Sequence, residues 1–252
     1  MNYLIPDGAG AVIEWFELLA ELDEEHSVPA IEDDRAVSGE QPGFIRKLLL
    51  LSEPQADGKV LGAGVYFLTD AEAARNFLHW ATEIHNFDGL LFHELDWVGE
   101  GVGYACSILR QAAGDMQAVP ACVRVESFVV DGSAIADVVA AWDGAGDVLG
   151  STGITARYLA FDEARSLAFV VSTTFRSAIS AELNPDDIAR LQEGDAVARR
   201  IGDIAQKKDD ISFRVYNIWE ARDEGDPLAD AVWPSSPPLP APRYWQPDLE
   251  VR

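Results

Sequence analysis

With 252 residues, 48% of them hydrophobic and 25% charged, the chain has the composition of a folded protein long enough for two modules of about 100–150 residues each. A formal net charge of −24, from 43 acidic against 19 basic residues, argues against nucleic-acid or anionic membrane partners, since only short basic pairs such as Arg46-Lys47 and Arg199-Arg200 oppose it. No apolar run reaches the roughly 18–20 residues of a membrane span, the N-terminal stretch lacks a signal-peptide pattern, and two cysteines make neither a disulfide framework nor a structural zinc site, so a cytoplasmic protein is expected.

In chain order, "MNYLIP" is the only segment available as an opening strand. In residues 9–26 the apolar side chains of Val12, Trp15, Phe16, Leu19 and Leu22 recur at helical spacing and predict a helix. "PGFIRKLLLLSE" and "VLGAGVYFLT", separated by "EPQADGK", read as a hairpin. Thr69 and Glu72 then form a capping-box pattern before a helix lined by Phe77, Leu78, Ala81 and Ile84. "GLLFHELDWV" closes the first half as a strand. The Gly-rich stretch 99–103 reads as a linker that leads into a short helix from Tyr104 to Ala113.

The same plan recurs. "ACVRVESFVVD" is a strand, and "SAIADVVAAW" is a helix with Ser133 as candidate N-cap. A hairpin turns at Asp162-Glu163, a helix starts at Asn184-Pro185, and "ISFRVYNIWEA" is the last strand. Each half thus reads β-α-β-β-α-β, a ferredoxin-like unit. A four-stranded sheet with both helices on one face leaves its other face bare, and a second copy covers it most economically. The expected architecture is an α+β chain of two ferredoxin-like modules that form one barrel, with helices outside and a ligand cavity between the sheets. Module 1 spans 1–98, a linker with a short helix 99–120, module 2 121–222, and a proline-rich arm 223–252, where seven of the thirteen prolines fall.

Three of the four histidines lie between His79 and His93. His79 and His85, six residues apart on one helix, point to different faces and cannot form the i,i+4 metal pair. No zinc site is read here. On the strand "GLLFHELDWV", His93 shares a side with Leu91, Leu95 and Trp97, while Glu94 and Asp96 share the other. If the His93 side faces the cavity, a neutral imidazole suits acid–base work or haem ligation; if not, the two carboxylates line it. The sequence leaves both open. The chain contains no GxGxxG, P-loop, GxSxG or HExxH pattern.

The stretch "PGFIRKLLLL" followed by "GKVLGAGVYFLTDAEAARNFLHWATE" resembles the YdhR-like monooxygenases of the dimeric α+β barrel superfamily. The resemblance covers residues 40–84, about a sixth of the chain; the second half is similar only in element order. It implies a barrel that relatives usually build from two chains, here fused into one, and a homodimer stays open as a partner state. It also implies a cavity enzyme acting on an aromatic or polyketide-like small molecule, with no cofactor in the oxygenases and haem in some relatives. Lys47 matches the family's strand lysine and would stabilise a substrate anion.

Strand alternation supplies the other candidates. Val123, Val125 and Val129 suit a helix-packed face, which leaves Arg124, Glu126 and Phe128 for the cavity; likewise Arg214 and Tyr216 oppose Phe213 and Val215, and Tyr66 opposes Val65 and Phe67. The arginines would bind a carboxylate or enolate, or else form a salt-bridge network with Glu126. The expected catalytic set is His93, Lys47 and Glu126, with Arg124, Arg214, Tyr216, Tyr66 and Phe128 binding substrate. The expected activity is cofactor-independent monooxygenation or a base-initiated cyclisation or isomerisation, against a non-catalytic binding protein or a haem enzyme using His93.

Overall fold

Both hairpins form where the turn signals place them: β2 (Phe44–Ser52) pairs with β3 (Val60–Leu68), and β6 (Ile154–Asp162) with β7 (Leu167–Phe175). The computed structural model describes residues 5–18, 38, 41–52, 59–81, 98–113, 120–145, 149, 154–175 and 196–220. The remaining described strands are β1 (Gly10–Leu18), β4 (Val98–Ala113), β5 (Pro120–Val129) and β8 (Gln206–Glu220). The helices are α1 (Ala71–His79), α2 (Ile135–Asp143) and α3 (Ala196–Gly202), and none is long and apolar enough to cross a membrane.

Every neighbouring pair of strands is antiparallel, and the order β1-β3-β2-β8-β5-β7-β6-β4 closes on itself. Each half therefore has the ferredoxin-like strand order 4-1-3-2, as β4-β1-β3-β2 and β8-β5-β7-β6. The seams are equivalent: the second strand of each module pairs with the fourth strand of the other, β2 with β8 and β6 with β4. The barrel closes within one chain and needs no second copy to complete it.

One expected helix is a strand. Residues 10–18, read as helical, form β1, with Ala11, Ile13 and Trp15 facing the barrel interior and Val12 turned outward under α1. Both sides of β1 are covered, so apolar residues satisfy helical and strand spacing together, and the β-branched and aromatic run "VIEWF" decides for the strand. The Gly-rich "linker" and the short helix after it are also a strand, β4. Gly101 lies across from Phe16 on β1, and so does Gly62 of β3. A Cβ at Gly62 would come within 2.4 Å of the Phe16 ring, so the glycines there admit an aromatic side chain rather than break the strand. Expected strand residues 89–97 and the Asn184 helix start lie outside the described residues, as do residues 1–4; Ile5 is held by Gln111 of β4 through both amide groups, at 3.1 and 2.7 Å.

The caps also shift by a residue or two. The α1 N-cap is Asp70, which accepts from the Ala73 N–H at 2.8 Å, in place of Thr69. Asp131 accepts from the Ser133 N–H at 3.0 Å and opens a 3₁₀ turn into α2, so Ser133 is not the cap. In both places a charged carboxylate, favoured by the positive end of the helix dipole, takes the exposed N–H in place of the hydroxyl.

Inward-facing residues from all eight strands merge into one apolar cluster, including Ile13, Leu48, Val65, Phe67, Tyr104, Val123, Tyr158, Phe169 and Phe213. Phe169 lies 5.0 Å from Tyr104 and 6.4 Å from Trp15 between ring centres, and Phe67 lies 4.8 Å from Tyr158. The helices bury the outer faces: α1 covers Val12, Tyr66 and Leu68, while α2 and α3 cover Phe128, Leu159 and Val170. Phe169→Ala would remove the ring where the two modules meet. It is expected to cost about 3–5 kcal/mol, read as a fall in urea midpoint with an unchanged slope.

Candidate functional site

Buried polar groups occur on both sides of the sheet: Arg46, Ser127 and Thr173 share the inward side with their partners Phe67, Phe169 and Val123, and others lie on the outer faces, between sheet and helices. On module 1 they form a compact set. Tyr66 of β3 donates its hydroxyl to Glu14 Oε1 of β1 at 2.6 Å, and Lys47 Nζ of β2 sits 4.4 Å from the centre of the Tyr66 ring. Lys47 is only 1% exposed and Tyr66 3%, so the cation and the phenol lie in a medium where charge interactions are strong. Phe77 of α1 roofs the set, with its ring centre 4.7 Å from that of Tyr66.

Backbone pairing explains why these three meet. Glu14 stands opposite Gly64 and Gly103, and Tyr66 stands opposite Lys47. A Cβ at Gly64 would lie 2.5 Å from the Tyr66 ring and 2.9 Å from Glu14 Oε1, so glycine there leaves the room in which phenol and carboxylate join. The alternating glycines of "VLGAGVY" and "GEGVGY" were the signal for this close approach. Glu14 itself escaped the sequence reading because it was placed on a helix.

Module 2 repeats the register. Glu14 opposes Gly64, two residues before Tyr66, which opposes Lys47; Glu126 opposes Val170, two residues before Ser172, which opposes Arg157. The same carboxylate, hydroxyl and cation positions are thus filled twice, with different outcomes. Arg157 donates through Nε to Ser172 at 2.9 Å. Glu126 receives Arg124 at 2.8 Å and Lys207 at 2.6 Å, and both cations also reach Asp210, at 2.7 and 2.6 Å. This is an ion-pair lock between β5 and β8.

The expected cavity candidates divide accordingly. Val123, Val125, Phe213 and Val215 face the interior, so Arg124, Glu126, Phe128, Arg214 and Tyr66 point outward, opposite to expectation. Phe128 is packed in the cluster under α2 and α3. The cause is that both sides of these strands are buried, and the apolar set of one side looks like that of the other. The structure brings Lys47 to Tyr66, and separately Arg124 to Glu126. Tyr216 lies on β8 with its side chain outside the described set, and His93 lies outside the described residues. Neither Cys106 nor Cys122 is in a disulfide, and burial inside the barrel holds the Cys106 thiol well above its usual range. Among the described residues, no three His, Cys, Asp or Glu side chains are grouped to hold a metal.

Burial raises the Glu126 carboxyl above the ordinary carboxylate value, against the pull of Arg124 and Lys207. The folded protein then holds this proton at pH values where the unfolded chain has lost it, so the contribution falls as pH rises from the unfolded value, about 4.5, through the raised folded one. Glu126→Gln removes that dependence. Urea unfolding of both proteins across pH 4–8 (roughly the span in which a raised carboxyl titrates) is expected to show the variant gaining on the wild type as pH rises. A constant difference would remove this account.

No protein-family model and no curated protein matches the chain, but solved structures do. A candidate monooxygenase from Fusobacterium nucleatum subsp. nucleatum superposes with a TM-score of 0.55 at 13% identity, over 86% of this chain and 96% of that one. An anthrone oxidase-like protein gives a TM-score of 0.58 at 11% identity, over 86% and 95%. A chlorite dismutase variant from Candidatus Nitrospira defluvii gives 0.53 at 9%, over 84% and 92%. At these identities the likeness concerns the fold alone, and it agrees with the strand order above: an α+β chain whose two ferredoxin-like halves close one eight-stranded barrel within a single polypeptide.

Proposed function

We propose that the protein is an enzyme that oxygenates an aromatic, polyketide-like phenol or enol without a cofactor, at the site formed by Glu14, Tyr66 and Lys47. The observation that carries this reading is the 2.6 Å hydrogen bond from Tyr66 to Glu14 beside a buried lysine. A carboxylate that already accepts a phenolic hydrogen bond is placed to take the proton of a substrate hydroxyl, with Tyr66 orienting it. The Lys47 ammonium then stabilises the phenolate or enolate, more strongly in this dry surrounding than in water. The electron-rich anion supplies the electrons that reduce O₂, and Phe44, Phe77 and Trp80 provide aromatic walls around the site.

Two further points support it. The anthrone oxidase-like neighbour bears a name that belongs to chemistry of this kind. The equivalent positions in module 2 are tied into ion pairs, which fits a holding role better than a reacting one, so Glu126 and Arg124 leave the catalytic set of this proposal. The same first step without O₂ gives an isomerisation or cyclisation, which would consume substrate without oxygen uptake. The haem alternative depends on His93.

Lys47→Met keeps an unbranched side chain of nearly the same length and removes its charge; Glu14→Gln keeps an acceptor for the hydrogen bond and removes the base. Each is expected to lower kcat/KM for oxygen uptake with 1-naphthol or anthrone by about 10²–10⁴, with the thermal midpoint checked alongside. Full activity in both variants would sink the proposal.

A further inference from the structure

We propose that the hollow beside the start of α1 is the entrance to the Glu14–Tyr66–Lys47 site, that Phe77 is its gate, and that it admits neutral, flat aromatic molecules; this rests on the catalytic reading above. The hollow holds about 330 Å³ and is walled by Gln41, Gly43, Thr69, Ala73, Asn76 and Phe77. That is enough for a two-ring aromatic. Its shape is built into the backbone: Gly43 has φ +80°, and a Cβ there would lie 2.7 Å from Thr69 Oγ1 and 2.9 Å from Ala73 Cβ. Only glycine lets the chain approach α1 this closely, and the Thr69 N–H fixes the approach by donating to the Gly43 carbonyl at 2.9 Å.

Phe77 faces both ways. It lines the hollow, is 3% exposed, and has its ring centre 4.7 Å from that of Tyr66, over which Lys47 Nζ lies at 4.4 Å. The Phe77 side chain is thus common to the wall of the hollow and the roof of the reacting groups. Rotation about its χ1 would open a path, and an aromatic substrate would replace the ring against Tyr66 with a contact of the same kind. Charge selects against acids. Exposed Asp70 and Glu72 stand at the rim of a chain with net charge −24, and Asp70 already caps the helix N-terminus that would otherwise attract an anion.

Calorimetric titration with 1-naphthol tests the entrance apart from any turnover. The wild type is expected to bind it, and Asn76→Trp, which fills the hollow from an exposed position, to weaken binding about tenfold. 1-Hydroxy-2-naphthoic acid is expected to bind about tenfold more weakly than 1-naphthol, with Glu72→Gln narrowing the gap. Phe77→Leu keeps the core filled and is expected to raise kcat/KM for tricyclic anthrone about tenfold relative to 1-naphthol. No binding by the wild type up to about 1 mM, or equal binding by Asn76→Trp, overturns the inference. Binding that Asn76→Trp weakens, without turnover or oxygen uptake, upholds the entrance and removes the catalytic reading instead.

Discussion

The closure of two four-stranded sheets into one barrel is the constraint on which the rest depends. A ferredoxin-like sheet has helices on one face only, and its second and fourth strands would be open edges. Here each second strand pairs with the other module's fourth, so both edges vanish at once and the two bare faces enclose a single apolar core. The long strands β4 and β8 make this possible, since each pairs with its own module along one part and with the opposite module along the other.

That closure also separates an inward face from two outer ones. The interior is lined mainly by aromatic and branched side chains, and the carboxylate–hydroxyl–cation sets lie on the outer faces of the sheets. A carboxylate, a hydroxyl and a cation recur there at matching register in both halves. The halves then diverge through their neighbours. In module 1, glycines flank Glu14 and make room for the hydrogen bond from Tyr66. In module 2, Arg124, Lys207 and Asp210 surround Glu126 and convert the same geometry into a fastening. Duplication within one chain allows the two halves to differ at matching positions, which a symmetric dimer of identical chains cannot do.

The candidate site was partly legible in the sequence. Lys47 and Tyr66 stood out through a strand lysine and an alternation, and the fold brings them together. Glu14 did not, because "AVIEWFELL" satisfies helical spacing as well as strand spacing when both faces are buried. Arg124 and Glu126 were read as partners, and they are, but on the opposite side of the sheet from the one expected. The glycines of β4 were read as a linker; like those of β3, they are places where a neighbouring side chain, such as Phe16 at Gly62 and Gly101, needs room.

By itself the sequence determined both hairpins, the β-α-β-β-α-β order of the second half and the pairing of two sheets, because turns and apolar runs are local and a bare sheet face demands a cover. Only the tertiary structure decided which side of each strand faces inward, that residues 10–18 and 98–113 are strands, and that a glutamate from β1 meets a tyrosine from β3. The reason is physical. Strand alternation divides residues into two sets with certainty, but when both sets are buried, nothing local distinguishes the barrel interior from the helix-covered face.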